Sequence, residues 1–200
     1  MKDKPLQRVF KKDFIHIDLT QKQDKWAQNK TERVMIEQQE KVEKDPSFKP
    51  MERIDVYSGS LAEIAVADYL GVKVNDTKNY DIKIESYGIT LDVKSKKVFK
   101  DNPYPNHHNE IYTINQETNY YIFCQVCIET MSVWILGYIS KEEFLKYNDF
   151  VKRGDVKPND TKVADKYMYC LQTMYLNPIK NIFSDIVRKK LKKTFIKYVR

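Results

Sequence analysis

Apolar residues along the chain are first sparse and helix-spaced, then dense and strand-spaced, then helix-spaced again. Gln21 to Val42 sets Trp26, Val34, Met35 and Val42 among Lys, Gln and Glu, which predicts a helix with a thin apolar face, an arm or partner contact. Asp45-Pro-Ser-Phe-Lys-Pro50 breaks it, because proline removes a donor and restricts the residue before it. The core is expected from near Ile54. Ser60-Leu-Ala-Glu63 has the spacing of a capping box, and Leu61, Ile64, Ala65, Ala67, Tyr69 and Leu70 carry the apolar pattern to Gly71, a natural helix stop.

Period-two patterns follow. Asn79 to Glu85 and Ile89 to Val98 read as a hairpin joined around Ser86-Tyr87-Gly88. Asn102 to Asn109 reads as a loop from its prolines and asparagines. Tyr120 to Ile128 and Val133 to Ile139 are apolar at most positions, which predicts strands covered on both faces. The second runs into another capping box at Ser140-Lys-Glu-Glu143. Lys152 to Asp165 is turn-rich, and Tyr167 to Leu176 predicts one more strand or an extended edge. Beyond Pro178, Ile179, Ile182, Phe183, Ile186, Leu191, Phe195 and Tyr198 recur at helical spacing. The order helix, four strands, helix predicts an α/β fold in one domain. A helical arm (1–50) precedes a core (51–178), and a basic amphipathic helix (179–200) ends the chain.

Composition changes this picture in two places. The formal charge is +7, and the segment from Lys180 to Arg200 holds eight basic residues and one acid. The first 179 residues therefore sum to zero, and attraction to a polyanion is concentrated in the tail, in Arg188, Lys189, Lys190, Lys192 and Lys193 among others. That tail has three readings: contact with nucleic-acid phosphates, lying on an anionic membrane, or docking on the core with its lysines in water. Docking combined with nucleic-acid contact is favoured. Three cysteines are too few for a disulfide framework, no apolar run reaches membrane-spanning length, and the first residues lack a signal-peptide pattern. A cytoplasmic protein with no membrane association is expected.

The candidate chemistry lies in the hairpin. Side chains alternate along a strand, so Thr90, Asp92 and Lys94 share one face while Leu91 and Val93 face the other. If the two strands pair, Asp81 sits beside Asp92. Two carboxylates so placed repel unless something positive lies between them, and a divalent cation with oxygen ligands is the usual answer. Mg²⁺ or Mn²⁺ held by Asp81, Asp92 and the Val93 carbonyl would polarise a phosphodiester, with Lys94 orienting the attacking water. Glu63, from the preceding helix, would hold a second metal or one of its waters, and sequence does not choose between one metal and two. Alternating acid and lysine also describes a solvated strand face, and Glu63 also fits the capping box.

Gly59-Ser-Leu-Ala-Glu63-Ile-Ala-Val-Ala, then Tyr80-Asp81, then Leu91-Asp92-Val-Lys94, resembles the PD-(D/E)xK nuclease superfamily, the restriction-endonuclease-like fold. The likeness covers roughly residues 54 to 178, continuing through Trp134-Ile-Leu-Gly-Tyr-Ile-Ser-Lys-Glu-Glu-Phe144 and Ala164-Asp165, as in small nuclease-like proteins common in bacteriophages. Tyr80 replaces the proline of the motif's name. The resemblance implies a central mixed sheet flanked by helices and a core site of Asp81, Asp92 and Lys94, with Glu63 as upstream acid. It also implies a DNA endonuclease, in the host cytoplasm if phage-encoded. Gln125 is a further candidate, either facing the site or a buried amide bonded to backbone. The alternative is a non-catalytic nucleic-acid-binding or phage assembly protein. Enzymes of this fold often act as dimers, and the arm at 21–42 offers a homodimer contact.

Cys124-Gln-Val-Cys127 spans opposite strand faces and predicts core packing rather than a redox pair or zinc site. His107 and His108 are expected in a loop.

Overall fold

Every residue of the strand Tyr120–Cys127 is buried, and this strand fixes the layering of the molecule. A computed structural model describes residues 8–75, 80–104, 108–114, 116–158 and 162–198, with 192–198 described by backbone alone. The elements are β1 (Ile15–Asp18), α1 (Gln21–Lys44), α2 (Arg53–Leu70), β2 (Ile82–Ile84), β3 (Ile89–Val98) and β4 (His108–Ile111). There follow β5 (Tyr120–Cys127), β6 (Ser132–Ser140), α3 (Lys141–Tyr147), β7 (Asp149–Val151), β8 (Met168–Gln172) and α4 (Ile182–Tyr198). A mixed five-stranded sheet has the order β1-β6-β5-β3-β2, and a three-stranded antiparallel sheet the order β4-β8-β7.

Alternation along β5 serves both faces. Tyr120, Ile122, Cys124 and Val126 join Leu61, Ala62, Ala65 and Val66 of α2, Ala27 of α1, and Ile182 and Ile186 of α4. Tyr121 and Phe123 join Phe144 of α3 with Ile111 and Leu171 of the smaller sheet. The result is a mixed α/β fold whose central sheet is flanked by helices on both faces. Pairing is antiparallel everywhere in this sheet except between β3 and β5, which run parallel. A parallel pair needs a long crossover, and residues 99–119, which include β4, provide it.

Several expectations hold. Gly71 ends α2 in the left-handed conformation (φ 67°), Ser140 caps α3 by accepting from the Glu143 amide (3.3 Å), and β2 and β3 form the hairpin. Cys124, Cys127 and Cys170 are free and buried. Ile179, Ile182 and Ile186 dock the start of the basic tail, while Leu191 is exposed. Among the described residues no helix is long and apolar enough to cross a membrane.

Others are corrected. The helix carrying Glu63 begins at Arg53, so Ser60 is interior to it and its hydroxyl donates to the Val56 carbonyl (3.0 Å) rather than capping a helix start. Ser58-Gly-Ser60 reads as a turn in isolation, but Val56 and Leu61 bury their apolar stripe on the sheet and carry the helix through it. Strands β1, β4 and β7 were not expected. His108 lies in buried β4 rather than a loop, and His107 is outside the described residues. The arm lies against α2, with Ala27 in the main core and Trp26 packed on it.

One glycine is required by close approach. The β5–β6 register shifts between Phe123 and Cys124, and just beyond the shift Gly137 meets the segment before α4. A Cβ on Gly137 (φ 149°) would stand 2.6 Å from the Asn177 carbonyl oxygen, which accepts from the Tyr138 amide at 2.9 Å. Gly59 has open space where its Cβ would be and lies within α2. Gly137→Ala is therefore expected to cost about 2 kcal/mol. Gly59→Ala should be neutral or stabilising by up to about 1 kcal/mol. Urea denaturation of the two variants checks the pair, and equal effects would contradict the packing described.

Candidate functional site

Strand β3 has ten residues and its outer neighbour β2 has three. The ladder pairs Ile82 with Leu91 and Ile84 with Ile89, and Asp81, just before it, lies near enough to Asp92 for the two carboxyls to interact. The Asp81 amide donates to the Leu91 carbonyl (3.0 Å). Its carboxylate then takes over from backbone pairing, with Oδ2 accepting the Val93 amide at 2.6 Å. Within a strand the N–H and C=O of one residue point to the same edge, so the Val93 carbonyl shares the edge held by Asp81.

Asp92 and Lys94 share the opposite sheet face from Leu91 and Val93, as the alternation predicts, and Asp92 is only 2 % exposed. Lys94 Nζ lies 2.7 Å from Asp92 Oδ2 and 3.3 Å from the Gln116 side-chain oxygen. The ion pair satisfies distance more than direction: Asp92 Oδ2 has no well-aligned hydrogen bond and is fully shielded from solvent. Burial and then the Asp81 charge push the Asp92 carboxyl well above the usual carboxylate range, although Lys94 pulls the other way. Glu63, on α2, is raised for the same reasons, burial first and Asp81 second, with a smaller push from Asp92. The three acids therefore share one electrostatic cluster. It favours uptake of positive charge, whether a proton or a cation.

Glu63 joins the two aspartates in this cluster from α2. Its carboxylate is paired with Lys30 of α1, both side chains being largely buried. Among the described residues no three His, Cys, Asp or Glu side chains form a ready ligand group. Gln125 lies on the Asp92 face, beside Lys96, but its amide is consumed by backbone: Oε1 accepts from the Tyr104 amide (2.9 Å) and Nε2 donates to the Tyr104 carbonyl (3.3 Å). It is the buried amide, fastening the crossover.

Two nearby groups had no local signal in the sequence. Lys30 is one of many lysines in α1, and only its helical spacing from Ala27 and Thr31 places it near a buried stripe. Tyr121 pairs with Asp92 in the parallel register, and its buried hydroxyl lacks a hydrogen-bond partner among the described residues. Burial, then Asp92, push that phenol up to about 12.

In the basic tail, Arg188 is exposed and paired with Asp185 (3.0 Å), Lys189 lies over the Tyr120 ring and Lys190 over the Tyr87 ring. The side chains of Lys192 and Lys193 lie outside the described residues. Compared with protein-family models and with curated proteins, the chain matches none.

The raised carboxyls predict a pH signature. A carboxyl whose folded pKa exceeds its unfolded value of about 4 holds extra protons in the folded state. Its destabilising effect is absent below that value and grows as pH rises through the raised folded pKa. Denaturation in EDTA should show Asp92→Asn converging with wild type near pH 4 and exceeding it by about 1–3 kcal/mol near pH 8. Parallel pH curves for the two proteins would contradict the electrostatics.

Proposed function

We propose that the protein is a divalent-metal-dependent nuclease that hydrolyses phosphodiester bonds of DNA, acting as an endonuclease on a restriction-endonuclease-like fold. The observation that carries this reading is the buried Asp92 carboxylate, poorly satisfied at Oδ2, with the Asp81 charge acting on it and Lys94 at 2.7 Å. A structural ion pair would be expected to satisfy both partners, whereas this acid is kept under-bonded beside another acid. The donor set of Asp81, Asp92 and the Val93 carbonyl is all oxygen, which suits Mg²⁺ or Mn²⁺.

A divalent cation bound there would supply Lewis-acid polarisation of the phosphate and lower the pKa of a water. The chain's own residues do the rest. Asp81 is anchored by the Val93 amide, which donates to its Oδ2 at 2.6 Å. Lys94, with a side chain 27 % exposed, presents its ammonium between the buried Asp92 and solvent, where it orients water and offsets negative charge developing on phosphate. Strand β3 positions Asp92 and Lys94, which limits the reorganisation required at the moment of reaction. Glu63, paired with Lys30, borders the cluster from α2.

Affinity for DNA comes from the tail. Ile179, Ile182 and Ile186 dock the start of the tail, and the run of cations from Arg188 onward would meet phosphates in a salt-dependent way. Because Ile179, Ile182 and Ile186 all precede the cut, deleting residues 188–200 should leave the fold intact, weaken DNA binding and flatten its salt dependence. Unchanged binding in a salt titration would remove the tail from the account.

Purified protein incubated with supercoiled, linear and branched DNA in Mg²⁺, Mn²⁺ or EDTA should cleave only with metal. Asp92→Ala and Lys94→Ala should each lower the rate at least about a hundredfold with circular dichroism unchanged. Cleavage surviving both substitutions would refute the assignment. Binding without turnover in every condition would move the protein to the non-catalytic binding or phage assembly role.

A further inference from the structure

The ion pair between Lys30 and Glu63 lies where the chosen chemistry leaves a question open, namely how many cations the cluster takes. Lys30 comes from α1, which sequence alone assigns to an arm, and its side chain is 14 % exposed. Its ammonium also lies 5.5 Å from the centre of the Trp26 ring, a second contact favouring a cation at this point. Ala27 and Thr31 flank it on the buried stripe, the Thr31 hydroxyl donating to the Ala27 carbonyl at 2.8 Å. Position and ring contact both hold the ammonium against the acidic cluster.

We infer that Lys30 stands in for a second metal ion: it neutralises Glu63 permanently, so that the cluster binds a single divalent cation, at Asp81 and Asp92. This rests on the nuclease reading above and fixes its metal count. Charge balance points the same way. The carboxylates in mutual field are Glu63, Asp81 and Asp92, and the cations that act most strongly on them are Lys30 and Lys94. Three carboxylates, two ammoniums, one dication and one phosphodiester sum to zero. A second dication in place beside Lys30 would leave the buried cluster with two uncompensated positive charges, which a low-dielectric site disfavours. The arm is then part of the site, since it carries the fixed cation.

Equilibrium dialysis of the full chain against Mn²⁺ at neutral pH tests this without reference to activity. Wild type should bind one ion per chain, and Asp92→Asn should lose it. Glu63→Gln should keep one ion with affinity within about threefold, because Glu63 is not a ligand while Lys30 holds it. Lys30→Met should bind two, and the double variant Lys30→Met/Glu63→Gln one again. Two ions in wild type would overturn the inference and leave the nuclease reading standing. So would a tenfold or larger loss of affinity in Glu63→Gln, or a single ion in folded Lys30→Met. If Lys30→Met fails to fold, the wild-type count and the Glu63→Gln affinity still decide. No bound ion in wild type would overturn both the metal count and the nuclease reading.

Discussion

Strand β3 continues well past the point where β2 ends, and the Asp81 carboxylate, not a backbone carbonyl, meets the next amide on that edge, Val93, at 2.6 Å. This substitution of side chain for ladder shapes the rest of the site. It pins Asp81 at the fork of the sheet, between the face that packs on α2 and the face that carries Asp92. From there its charge reaches both Glu63 and Asp92. An unpaired strand edge is normally a liability. Here it carries the candidate chemistry.

The cost of gathering the acids is met by packing around them. Strand β5, buried along its whole length, ties β3 to β6 and sets helices on one face and the smaller sheet with α3 on the other. Asp92 lies against Tyr121 of that strand, so its desolvation follows from the same layering that stabilises the core. The fold thereby keeps a carboxylate in an environment that penalises its charge, and such tension is characteristic of sites that bind or react rather than merely support.

What the sequence made legible and what it hid divide along physical lines. The Asp81–Asp92 juxtaposition was readable because strand alternation and a short hairpin leave little freedom of register, and the core strands because their apolar runs need two covered faces. Strand β1, Ile-His-Ile-Asp, and strand β4, His-Asn-Glu-Ile, were hidden because each is too short and polar for a period to show. Pairing with β6 and β8 creates them. The start of α2 was misplaced because Ser-Gly-Ser has strong local turn chemistry that burial of the neighbouring apolar residues overrides. Lys30 was invisible for a different reason: nothing local distinguishes a lysine that will meet a carboxylate thirty-three positions away from its solvated neighbours. Gln125 was placed on the correct face, but the backbone of the crossover that claims its amide comes from a loop whose course no pattern predicts.

The site proposed to hold a divalent cation is the Asp81–Asp92 edge of β3. Anomalous diffraction from crystals soaked in Mn²⁺ measures this directly. A peak is expected in contact with the Asp81 and Asp92 carboxylates and the Val93 carbonyl, absent in Asp92→Asn crystals treated alike. Crystals in which Mn²⁺ appears elsewhere, or nowhere, while the Lys94–Asp92 pair stays closed would contradict it, and the acidic cluster would then be a buried polar network of the fold.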